Sequence, residues 1–221
     1  MLGLLKTWMM PRITPMPASM ARKLLSEQQL TQLGIKVDKN LPSLPDAGEC
    51  QFRSVSDIVH RLQSLMLLTA HAEELPSAVI DALYLRTGAQ HCFTLKEQHW
   101  LAKTHLTPAE KQVCMWRYES IKLLLWAIGH LAELGKATEG ANIIELSRLI
   151  QWQSYDELLA GAKPLNPVTL LDTADQYYRM AHLGKHQPRA LPANISLLIV
   201  QERYTCLSWL IGESDWDELC E

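Results

Sequence analysis

The sequence predicts an all-α fold, a single compact domain of about eight to ten helices. Two observations carry that prediction. Apolar residues recur at helical spacing through most of the chain, and helix-start signals precede several of these runs. A third observation sets the scale. At 221 residues and 25.1 kDa, with 48% hydrophobic and 20% charged residues, the chain has the size and composition of one soluble domain with a real core. A largely disordered chain is excluded on the same grounds.

The N-terminal stretch is unlike the rest. Residues 1–23 carry Lys6, Arg12, Arg22 and Lys23 and no acid. The apolar Leu2, Leu4, Leu5, Trp8, Met9 and Met10 are interrupted by Lys6 and followed by Pro11, Pro15 and Pro17. That run is too short and broken for a signal peptide. Residues 1–19 are therefore expected to be a flexible leader, with Met20 an alternative start and a membrane-touching amphipathic segment the functional alternative. The domain is expected over residues 20–221, beginning with a helix at 20–33.

After a loop holding Pro42, Pro45 and Gly48, Ser54 and Asp57 form a capping box for a helix carrying Val55, Ile58, Val59, Leu62, Leu65 and Met66. Pro76 suits the first turn of the next helix, which Gly88 ends. Thr94 with Glu97 opens a helix through Leu101. Thr107-Pro108-Ala109-Glu110 combines an N-cap, an N1 proline and an N3 glutamate. The helix it starts is expected to run through Trp116, Leu123, Leu124 and Ala127 to a C-cap at Gly135. Shorter helices are expected at 142–150 and 154–160, then one from Val168 to about Leu183 ended by Gly184. The last long helix spans Ile195 to Ile211, with a turn over Ser214–Cys220. Leu197–Val200 reads as strand-like in isolation, but the helical pattern continues to Trp209, Leu210 and Ile211.

These pieces resemble the bacterial proteins grouped as domain of unknown function 4272 (DUF4272). The matching residues are Arg53-Ser54 with Val59-His60-Arg61-Leu62, Leu106-Thr107-Pro108-Ala109-Glu110, and Trp116-Arg117-Tyr118-Glu119-Ser120 with Leu125-Trp126-Ala127-Ile128-Gly129. Next come Leu171-Asp172-Thr173-Ala174-Asp175 with Tyr178-Arg179, then Gln201-Glu202-Arg203, Leu207-Ser208-Trp209-Leu210 and Trp216-Asp217-Glu218-Leu219. They span about residues 22–219 in order. The resemblance implies an α-helical fold and no activity.

Composition narrows the function classes. A net charge of −3 and a pI near 6.2 give no reason to expect nucleic acid. Five cysteines, an odd number without a CxxC spacing, read as reduced thiols of a cytoplasmic protein. No apolar run reaches the roughly 18 residues of a membrane span. Among eight histidines there is no HExxH. His182 and His186 stand at i, i+4, but Gly184 between them is expected to end the helix, so neither a metal nor another cofactor is expected. Cys114 and Cys206 sit in apolar helices as small core residues, and no serine lies in a GxSxG elbow.

Charge on apolar helices singles out the candidate site. Asp172, Asp175 and Arg179 share one helical face, and Asp175 can pair with Arg179 at i, i+4. Arg117 and Glu119 point from different sides of their helix and must find partners elsewhere; Glu202 and Arg203 form a further charged couple. An interhelical salt-bridge network is the expected role. The catalytic alternative takes Asp172, Asp175 and Glu202 as acid/base carboxylates, with Arg117, Arg179 or Arg203 holding an anion. Of seven tryptophans, Trp116, Trp126 and Trp209 are expected in the core; Trp8 and Trp152 are open, and Trp216 joins Arg117, Glu119, Arg179 and Arg203 as a binding candidate. The functional expectation is a non-catalytic protein-binding protein, in one version an immunity protein that neutralises a bacterial toxin. A hydrolase-like enzyme and a regulatory scaffold are the alternatives.

Overall fold

Local signals start most of the helices. The computed structural model describes residues 16–88, 92–150 and 153–217. Among these there are nine α-helices and no strand. They are α1 (Ala18–Gln32), α2 (Val55–Ala72), α3 (Ser77–Thr87), α4 (Leu95–Leu101), α5 (Pro108–Ala127), α6 (Ile143–Ile150), α7 (Tyr155–Gly161), α8 (Pro167–His186) and α9 (Leu197–Leu210). Full capping boxes open α2 at Ser54/Asp57, α4 at Thr94/Glu97, α5 at Thr107/Glu110 and α7 at Ser154/Glu157. In each, a hydroxyl accepts the N3 amide while the N3 carboxylate accepts the N-cap amide, so two helix-end donors are satisfied at once. Asn166 caps α8 ahead of Pro167.

Helix α1 begins at Ala18, inside the stretch expected to be leader. The Ser19 amide donates to Asp46 Oδ1 at 2.6 Å, which ties this first turn to the following loop. Residues 1–15, and with them Trp8, lie outside the described residues, as do His91, Trp152 and the end of the expected 214–220 turn with Cys220.

Two helix ends differ from the sequence reading, both at a glycine. α5 stops at Ala127 rather than near Gly135. Gly129 takes φ +77, its amide donates to Trp126 O, and the His130 amide reaches back to Leu125 O. This is a Schellman ending. A Cβ at Gly129 would stand 2.3 Å from Lys163 O, so both the backbone conformation and the close approach demand glycine. Conversely, α8 runs straight through Gly184 to His186. A Cβ there would meet Leu197 Cδ1 at 2.1 Å. Gly184 is present because the start of α9 packs on it, not because the helix ends.

The core is built around α2 and α5. α5 buries Ile121 and the run Leu123, Leu124, Leu125, Trp126 and Ala127; α2 buries Val59, Leu62, Leu65 and Leu67. Such continuous apolar runs fit helices covered on several sides. α5 packs between α2 and α9, α9 packs on α8, and α8 on α1. The shorter α3, α4 and α7 flank α2, and α6 flanks α5. None of the described helices is long and apolar enough to cross a membrane.

Candidate functional site

The charged residues that stand out in the sequence sort into pairs at helix junctions. On α8, Asp175 and Arg179 are both fully buried and meet through two hydrogen bonds: Nε to Oδ2 at 2.8 Å and Nη2 to Oδ1 at 2.9 Å. Arg179 also reaches Glu27 of α1 at 3.4 Å and the Pro42 carbonyl at 3.3 Å. This arginine therefore joins α8, α1 and the loop after α1. Asp172, one turn back, is half-buried and does not join the pair. Burial pushes its carboxyl above the usual range, offset in part by the Arg22 charge.

Between α5 and α9 the pairing is reciprocal. Arg117 of α5 donates to both oxygens of Glu202 of α9, at 2.8 and 3.1 Å, and the Ser120 hydroxyl donates to the same carboxylate. Arg203 of α9 returns the contact, donating to Glu119 of α5 at 2.9 Å. Its Nη1 also donates to the Gly135 carbonyl at 2.9 Å and the Tyr177 hydroxyl at 2.7 Å. Glu119 accepts in addition from the Ala141 amide, so it holds down the loop after α5. Gly135, the expected helix cap, serves instead as an acceptor for a buried arginine. Neighbouring residues Glu202 and Arg203 thus have different partners, because successive positions on a helix point about 100° apart.

A further buried pair has no counterpart in the sequence reading. Arg61 of α2 donates to Glu97, and both are buried. The signal was partly visible: Arg61 lies on the apolar face of its helix. Glu97 is fully accounted for locally as a capping residue, which conceals its long-range partner. Trp216 completes this region. The Arg61 guanidinium lies over its ring at 4.8 Å and that of Arg117 at 5.6 Å, while the Trp209 ring meets it edge-on at 5.4 Å. Stacked arginines of this kind hold a tryptophan by both charge and shape.

Asp172, Asp175 and Glu202 are not brought to one cleft. Asp175 is enclosed with Arg179, Asp172 stands by Arg22, and Glu202 is tied to Arg117 and Ser120 on another helix pair. Among the described residues the thiols offer no activated nucleophile. Burial pushes Cys114 up to about 11 and raises Cys206 well above its usual range.

What lies open is a groove of about 570 Å³ between α5, α8 and α9. Trp116, Tyr178 and Tyr204 line it, with His182, Lys185 and Gln201. Val113 and Leu198 at its border are 40% and 48% exposed, enough to count as accessible apolar surface. Trp116 is the exception among the tryptophans expected in the core: it is half-buried and presents itself to this groove, whereas Trp126 and Trp209 are buried. Tyr178 and Tyr204 stand in ring contact at 5.8 Å. Tyr204 was not singled out by sequence, since one tyrosine in an apolar helix carries no signal of its own. The floor of the groove is the Arg117–Glu202 pair.

A family model described as "Domain of unknown function (DUF4272)" matches residues 22–219. No curated protein and no solved structure matches the chain. The matched span takes in α2 through α9, most of α1, and every ion pair described above, and on that match the chain belongs to the DUF4272 family.

Proposed function

We propose that this chain is a non-catalytic protein-binding protein and that the α5/α8/α9 groove is where it binds. One observation carries the reading. Asp175 and Glu202 are tied up in arginine pairs on different helix pairs, with Asp172 apart from both, while the other side chains lining the groove are mostly aromatic, apolar or long and polar. Tryptophan and tyrosine beside accessible apolar residues are the composition of an interface centre rather than of a hydrolytic site. The concrete version is an immunity protein of a bacterial cytoplasm. Its groove would take a segment of a toxin, supplying apolar contact from Trp116 and Leu198 and hydrogen bonds from Gln201 and Lys185.

Co-expression with the toxin-like product of a neighbouring gene tests this. The wild-type chain should restore growth and form a complex of defined stoichiometry. Leu198→Asp and Trp116→Ala should lose both while keeping the helical circular dichroism and a cooperative melt. Protection that survives both substitutions would remove the groove from the proposal. Turnover of a substrate that Glu202→Gln abolishes without loss of binding would favour the enzyme.

A further inference from the structure

The continuity of α8 through Gly184 puts His182 and His186 on successive turns of one helix, near its C-terminal end. Their rings stand 4.4 Å apart, centroid to centroid, at 41°. His182 is half-buried at the groove and His186 is exposed. Two histidines at i, i+4 on a helix are the arrangement that lets both imidazoles reach one metal ion. Imidazole suits zinc, copper and nickel over magnesium or calcium.

We propose that His182 and His186 chelate a divalent transition metal. The site is two-coordinate from the protein, since no third histidine, cysteine or carboxylate among the described residues stands with the pair. Water fills the remaining positions. His186 lies in the last turn of α8, with His182 one turn before it, where the helix dipole presents its negative end and favours a cation. Two charges act against binding: exposed Lys185 lies between the histidines in sequence, and exposed Arg189 follows in a short 3-10 turn. Both are long side chains at the surface, where solvent screens them. Because His182 also lines the groove, a bound metal would sit at the groove's edge with open coordination positions. The chelate stands on the α8 geometry alone and does not require the protein-binding reading.

Titration of untagged full-length protein with nickel chloride, followed by calorimetry, tests the site. One equivalent should bind at neutral pH. Nickel should also raise the melting temperature, because only the helix holds the two rings together. His182→Gln and His186→Ala should each abolish stoichiometric binding and the melting shift while leaving the metal-free melt unchanged. His130→Ala, distant in sequence and bonded to the Leu158 carbonyl, should bind as the wild type does. Absence of binding, or one equivalent still bound by either α8 variant, would overturn the proposal.

Discussion

Asp175→Ala offers the most direct test of how this fold is held. The substitution removes both short hydrogen bonds to Arg179, a guanidinium with no solvent exposure. What remains is Glu27 at 3.4 Å and the Pro42 carbonyl at 3.3 Å. Glu27 is itself 3.8 Å from Lys23, so its charge is shared. In the native cluster two acids face two bases; in the variant one acid faces two. Breaking a buried pair by removing one partner costs about 3–5 kcal/mol, and the nearby Glu27 argues for the lower half of that range. For a chain of this size that corresponds to a fall in melting temperature of roughly 6–16 °C. Urea unfolding with matched slopes measures the loss, and the slopes check that the unfolding transition is unchanged in kind. The double variant Asp175→Leu with Arg179→Leu should lose less than Asp175→Ala, since it removes the fully buried guanidinium and leaves Glu27 to Lys23. A single variant within about 0.5 kcal/mol of the wild type, the range of ordinary surface changes, would refute the reasoning and show that water reaches Arg179.

Trp126→Ala empties a buried site at the C-terminal end of α5 and should cost about 3–5 kcal/mol by urea unfolding. Gly129→Ala should lose at least about 1–3 kcal/mol in the same assay, from the left-handed backbone and the 2.3 Å approach to Lys163 O together. Glu110 is held low, at about 2 against an ordinary 4.5, first by the Lys103 ammonium that donates to it and then by the Thr107 amide. A depressed acid contributes stability that is present above 4.5 and lost as pH falls toward about 2, so acid unfolding of Glu110→Gln should show a shallower loss through that window.

Helix starts were legible because a capping box is contained in four residues. Ser54/Asp57, Thr94/Glu97 and Thr107/Glu110 need nothing from the rest of the chain. Helix ends at glycine were not. Whether a glycine caps a helix or admits a neighbour depends on what approaches it, and Lys163 and Leu197 come from distant sequence. The i, i+4 pairing of Asp175 with Arg179 could be read from spacing, and so could the need of Arg117 and Glu119 for outside partners. Which partner each takes could not, because it follows from the packing of α5 on α9. The groove was less visible still. Trp116 looks like its buried neighbours in an apolar helix, and only the placement of α8 and α9 leaves it at a surface.

The order in which these partners occur along the chain bears on synthesis. Arg117 and Glu119 are made well before Glu202 and Arg203, which neutralise them, and before Trp216, which covers Arg117. Until those last residues emerge, a collapsed N-terminal portion would have to enclose unmatched charges in its interior, at a penalty that favours staying open. The domain should thus fold as one unit, only once α9 is present to pair with α5. A nascent chain stalled before α9 should remain a substrate for proteases and chaperones.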